Sequence, residues 1–168
     1  VSTQDTCQES VYNELFRTIA PLLRNFLCFK YKNVEGAEDM VQEAFMVLWN
    51  NCKKVMPDMA KAYVFRVAQN QMLKIVDKEK VKQKHIPFIT KTTDQEDPQY
   101  KMEFSEFDLR IQQAIDRLSE GQREVFLLNR VEKKTYNEIA ELLDVSVKAV
   151  EKRMHKALVK IREIHKNI

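Results

Sequence analysis

Lys148, Lys152, Arg153 and Lys156 stand at spacings that put them on one side of a helix. Val150, Met154, Leu158 and Ile161 repeat through the same stretch at three- and four-residue intervals, the pattern of a face packed on a core. Lysine holds phosphate as a point charge, whereas the planar fork of Arg153 can pair with both acceptors of a guanine. Glu151 can accept from a cytosine amine, but pairing with a neighbouring lysine is the simpler reading. Ser146 stands where its hydroxyl would cap this helix and where unpaired backbone N–H groups would meet a phosphate. The chemistry on offer is recognition of a polyanion. For this segment taken alone, a solvated basic face is the alternative.

The helix before it must position that face. Thr135 and Glu138 have the spacing of a capping box, which starts a helix at Tyr136. Ile139, Leu142 and Leu143 then fall on one face, and Ala140 is small where a second helix has to approach. Asp144 occupies the turn, where many such turns have glycine, and aspartate tolerates the left-handed backbone required there. Two helices joined this way, the second one basic, form the helix-turn-helix that enters the DNA major groove.

The net charge of +3 over 168 residues is too small to argue from. Its placement says more, because lysine and arginine thicken over residues 74–84 and 148–166. Only two glycines and four prolines predict long helices and no tight-turned sheets. No apolar run reaches the length of a membrane span, and the polar N-terminus has no secretory pattern, so no membrane insertion and a cytoplasmic location are expected. Cys7, Cys28 and Cys52 are far apart, odd in number and not paired with histidine. They are read as free thiols, neither a disulfide framework nor a zinc site. His85, His155 and His165 are scattered. With no Ser/His/Asp, Cys/His, metal-ligand or glycine-rich phosphate arrangement, no catalytic residue, metal, cofactor or small-molecule substrate is expected.

The pattern predicts an all-α chain of two small domains. The first, residues 1–84, has a helix from about Gln8 with Val11, Leu15, Ile19, Leu22, Leu23 and Phe26 inward, and a kink at Pro21. Gly36 reads as a break. A second helix over Ala37–Lys54 buries Val41, Ala44, Phe45 and Leu48. A third, about Lys61–Lys84, buries Val64, Val67, Ala68, Met72, Leu73 and Val76. Residues 85–104 contain Pro87, Pro98 and a Thr-Lys-Thr-Thr run without sustained apolar period, and read as a flexible linker. In residues 105–168, Phe107, Ile111, Ala114, Ile115 and Leu118 define one helix. Ser119 with Gln122 is a second capping box, opening a helix that carries Val125, Phe126, Leu127 and Leu128.

Ala37-Glu38-Asp39-Met40-Val41-Gln42-Glu43-Ala44-Phe45, followed by Leu48-Trp49, resembles the second conserved helix of extracytoplasmic-function (group IV) sigma factors. Leu118-Ser119-Glu120-Gly121-Gln122-Arg123-Glu124-Val125-Phe126 resembles the opening of their fourth region. Tyr136 to Glu141 and Ser146 to Arg153 resemble its helix-turn-helix. The three motifs come in the family's order and spacing, and the resemblance covers nearly the whole chain.

The resemblance implies a dissociable specificity subunit whose partners are core RNA polymerase, promoter DNA and an anti-sigma factor. It places Asp39, Gln42 and Glu43 on a coiled coil of the largest polymerase subunit, with Trp49 as interface support. Acidic groups suit that place if the partner is arginine-rich. It assigns residues 1–84 to the minus-ten element, where Lys61, Tyr63, Arg66, Asn70 and Lys74 would hold backbone or unstacked bases. Tyr63 and Phe65 can equally be core aromatics, Phe65 more readily. It assigns residues 105–168 to the minus-thirty-five element, through Ser146, Lys148, Ala149, Lys152, Arg153 and Lys156. The chain departs from the family at Lys74 and Asp77, where many relatives carry the charges in reverse. The rival reading is a stand-alone helix-turn-helix regulator with a sensing or dimerising first domain.

Overall fold

The computed structural model describes residues 5–84 and 113–166. The chain divides into two compact units, Val1–Pro98 and Gln99–Ile168. All regular structure among the described residues is helical. The N-terminal unit holds α1 (Glu9–Tyr31), α2 (Val34–Asn50) and α3 (Pro57–Lys84). The C-terminal unit holds α4 (Glu120–Arg130), α5 (Tyr136–Leu143) and α6 (Val147–Lys166). The predicted linker lies outside the described residues. Of the helix predicted around Phe107–Leu118, residues 113–118 are described, and 113–116 are helical.

In the N-terminal unit α2 packs against both α1 and α3. The predicted stripe of α1 from Leu15 to Phe26 is buried, as are Val41, Ala44, Phe45 and Leu48 of α2 and Val64, Phe65, Ala68 and Met72 of α3. The aromatics interlock, Phe45 with its neighbours edge to face. Phe45 meets Tyr12 and Phe16 with ring centroids 5.9 and 4.9 Å apart, and Phe26 lies 5.5 Å from Phe65. Phe65 is therefore core. α1 runs without interruption through Pro21, whose side chain is exposed. It stops at Lys32, which takes the left-handed conformation and donates its N–H to the Cys28 carbonyl.

Several boundaries differ from expectation, each for a physical reason. Gly36 does not break a helix; it lies in the first turn of α2. Asn33 caps that turn, its Oδ1 accepting from Gly36 N at 2.6 Å. A Cβ on residue 36 would stand 2.9 Å from that same oxygen, so glycine leaves room for the cap. α2 ends at Asn50, not Lys54. α3 begins at Pro57, four residues before Lys61, because proline at the first helical position has no N–H to leave unpaired. Leu73, expected in the core, is 37% exposed, and Val67 and Val76 are half-buried. At about 1.5 Å per residue, the 28 residues of α3 outrun the 17 of α2, so its later turns have less of α2 to pack on.

Lys30 is buried, which periodicity did not foresee. Its amine donates to Gln69 Oε1 at 2.6 Å and lies 5.7 and 5.1 Å from the ring centroids of Phe26 and Tyr31.

The cysteines overturn the free-thiol expectation. Cys7 and Cys52 form a disulfide, with Cα atoms 5.0 Å apart. Cys28 is buried and outside the bridge. The segment before α1 folds back beside the loop leaving α2, and the fully buried Thr6 donates its hydroxyl to the Val55 carbonyl at 2.5 Å.

The C-terminal unit is a three-helix packing in which α6 meets both α4 and α5. Val125, Leu127, Leu128, Ile139, Ala140, Leu142, Val150 and Met154 are buried, with Ile115 and Leu118 closing one end. Ala157 is fully buried, while Leu158 and Ile161 are half-buried. The buried line on α6 therefore runs slightly to one side of the predicted one.

Candidate nucleic-acid interface

Local capping sets the geometry of the helix-turn-helix. The Glu138 carboxylate accepts from Thr135 N at 2.8 Å and from the Thr135 hydroxyl at 2.9 Å, and Thr135 Oγ1 accepts from Glu138 N at 3.3 Å. Lys134 lies 3.7 Å from the same carboxylate. Asp144 ends α5 in the left-handed conformation, φ 53° and ψ 51°. Ser146 Oγ then accepts from Ala149 N at 3.2 Å at the start of α6. These are the caps and the turn that the sequence led us to expect, and together they fix where α6 starts relative to α5.

The Thr135 backbone bond, then its hydroxyl bond and the Lys134 charge, hold the Glu138 carboxyl below its ordinary value of 4.5. A depressed folded-state pKa means that the stabilisation is present above that value and is lost as pH falls through the lower folded one. Thr135→Ala should lower the stability of this unit by about 1 kcal/mol. Glu138→Gln should keep an acceptor for Thr135 N while flattening the acid limb. Urea melts between pH 3 and 7 check both, and an unchanged acid limb in Glu138→Gln would remove Glu138 from it.

On α6, Lys148, Lys152 and Lys156 are exposed, each four residues from the next. Ser146 is exposed and Ala149 half-buried. Arg153 is placed differently. It is half-buried and lies against the first turn of α4, where a Cβ on Gly121 would come within 3.2 Å of its Nε.

The N-terminal unit presents two outward faces. On α2, Asp39, Gln42, Glu43 and Trp49 are exposed at helical spacing, within about 120° of arc. Met46, 64% exposed, completes the same stripe; its spacing from Gln42 and Trp49 was the signal that could have found it. Trp49 is 45% exposed and packs edge-on against Tyr12, with centroids 5.0 Å apart. Phe16, Met56 and Met59 are further exposed apolar side chains that sequence reasoning passed over. On α3, Arg66, Asn70 and Lys74 are exposed and Tyr63 half-buried, in one arc of about 80°. Lys61 is exposed but turned about 160° from Tyr63, so the structure does not bring it onto that face. Among the described residues no cluster of histidine, cysteine or acidic groups could hold a metal, and no helix is long and apolar enough to cross a membrane.

Comparison with known proteins finds a family match in each of the two units. The family description "Sigma-70 region 2" matches residues 15–81, and "Sigma-70, region 4" matches residues 108–161. The chain is 24% identical over 165 residues to the ECF RNA polymerase sigma factor SigE of Mycolicibacterium smegmatis, covering 96% of this chain and 64% of that protein. It is 24% identical over 158 residues to the ferric citrate uptake sigma factor FecI of Escherichia coli, covering 91% of this chain and 90% of that protein. In fold it is similar to CnrH, solved in complex with the cytosolic domain of CnrY, with a TM-score of 0.64 at 22% identity over 93% of this chain and 88% of that one. It is also similar to RpoE of Bartonella quintana, solved with the anti-sigma factor NepR, with a TM-score of 0.63 at 22% identity over 92% and 96%.

Proposed function

As a member of the sigma-70 family, of its extracytoplasmic-function group, this chain is a sigma factor, and we propose that it directs core RNA polymerase to a set of promoters and helps to open them. The observation that carries the proposal is that one chain combines a region 2 unit, with a mixed acidic and apolar outward stripe on α2, and a region 4 unit, with a capped helix-turn-helix and an exposed lysine row.

The α2 stripe of Asp39, Gln42, Glu43, Met46 and Trp49 docks on core polymerase. Exposed carboxylates steer and register a basic partner, and the apolar end supplies area that leaves water. Tyr63, Arg66, Asn70 and Lys74 on α3 serve the minus-ten element: a ring for stacking, an amide for a base edge and two cations for phosphate. Lys148, Lys152 and Lys156 hold minus-thirty-five phosphates, with Ser146 and Ala149 at the helix N-terminus close to the backbone. Arg153 is the residue with the chemistry to read a guanine. The chain contributes no catalytic step. Polymerase makes the bonds, and this subunit supplies differential binding to opened promoter DNA, in the cytoplasm where polymerase works. Release from an anti-sigma factor regulates it, as the complexes of its structural relatives suggest.

Reversing charge at Asp39 and Glu43 tests the docking face. Both side chains are exposed, so helicity should be intact, while affinity for core polymerase should fall by tenfold or more, on the order of 1.4 kcal/mol. Unchanged affinity in competition would take the two carboxylates out of the interface.

A further inference from the structure

We propose that Cys7 and Cys52 are a reversible thiol–disulfide site, with a dithiol reductant as its co-substrate, that sets how firmly the Trp49 end of α2 is held. The bridge joins two turns that lie outside the helices. On one side is the segment entering α1, where the N-cap residue Gln8 makes no side-chain capping bond. On the other is the loop leaving α2, in which Cys52 N donates to the Trp49 carbonyl at 3.2 Å. Among the described residues the segment is also held by the Thr6 hydroxyl on the Val55 carbonyl, by Asp5, which accepts from Cys7 N and Gln8 N at 3.1 and 2.9 Å, and by Tyr12, whose hydroxyl donates to the Phe45 carbonyl at 2.8 Å.

Tyr12 carries the consequence. It lies in the first turn of α1 and covers one side of Trp49 with centroids 5.0 Å apart. Opening the bridge frees the chain just before that turn, so the turn frays and Trp49 loses a fixed neighbour. Access suits exchange. Cys7 and Cys52 are both half-exposed, and exposed Lys53 and Lys54 follow Cys52, whereas Cys28 is packed in the core.

The exchange balances without any further reactant. A thiolate of the dithiol attacks one bridge sulfur, the Cys7–Cys52 bond breaks, and a mixed disulfide forms. The second thiol resolves it. Two electrons and two protons end on Cys7 and Cys52, and the reductant becomes a disulfide. Glutathione disulfide reverses the change, leaving two glutathione thiols. The link to function rests on the reading that this chain works beside polymerase, in a compartment whose dithiols keep thiols reduced and where a protein disulfide is transient or redox-sensing. In that setting the bridged form, with Trp49 pre-organised, is the better polymerase ligand.

The test uses the full chain in dithiothreitol buffers of graded oxidation. Alkylation at Cys7 and Cys52 is read by mass spectrometry, and Trp49, the only tryptophan, is read by its emission. Both thiols should become alkylatable without denaturant in one transition, and Trp49 emission should shift at the same midpoint. Cys7→Ser and Cys52→Ser should each show the reduced emission at every ratio. The oxidised chain should bind core polymerase roughly two- to tenfold more tightly than the reduced one. A bridge that opens only in denaturant, or identical Trp49 emission in the two forms, would overturn the proposal. Equal polymerase affinity with shifted emission would overturn its link to docking. Failure of both forms to bind polymerase would overturn the docking reading of α2, and alkylation and emission would still decide the thiol site.

Discussion

Phe45→Ala should cost the N-terminal unit about 3–5 kcal/mol and remove polymerase binding with it. Phe45 is 2% exposed, buried one turn before Trp49 at the flank of the exposed stripe of its own helix. Its ring is the common partner of Tyr12 and Phe16, and its carbonyl accepts the Tyr12 hydroxyl. Tyr12 in turn supports Trp49. Deleting the ring therefore opens a cavity and undoes the platform behind the exposed stripe. Urea unfolding followed by circular dichroism measures the first effect, and competition for core polymerase the second. The contrast with Asp39 and Glu43 is diagnostic, since reversing those charges should lose affinity without stability. Stability close to that of the unaltered chain in Phe45→Ala would mean that α2 is not held as described.

Removing the lysine row should be the largest change in DNA binding. Each phosphate contact contributes about 0.9 to the salt slope, so three contacts at about 0.15 M salt amount to roughly a hundredfold in affinity. Alanine at Lys148, Lys152 and Lys156 together should therefore weaken cognate and scrambled minus-thirty-five duplexes alike and lower the slope by about three. Arg153→Ala should behave differently. If Arg153 reads a guanine, its loss costs about 1–3 kcal/mol on the cognate duplex and much less on the scrambled one. Equal losses on both would leave it as a brace against Gly121. An unchanged slope in the triple variant would take α6 out of the groove.

What could be read in advance follows from the range of the interactions involved. The Thr135–Glu138 box, the Ser146 cap and the left-handed Asp144 are made between residues a few positions apart, so spacing reveals them. The same holds for the apolar stripes of α1 and α2, and Met46 was legible by the same spacing though unread. Gly36 misled because glycine usually breaks a helix, whereas here its missing Cβ makes room for a cap. Leu73 misled because periodicity does not encode where a neighbouring helix ends. The Cys7–Cys52 bridge, the Lys30–Gln69 bond and the Arg153–Gly121 contact join residues more than thirty positions apart. No local pattern announces such pairs; the packing of the helices creates them.

Reconstitution with purified core polymerase on promoter fragments tests the central claim most directly. The chain and core together should start promoter-specific transcripts, and neither should do so alone. Duplex binding by the chain without polymerase, and no initiation by the mixture, would contradict the account and favour a stand-alone helix-turn-helix regulator.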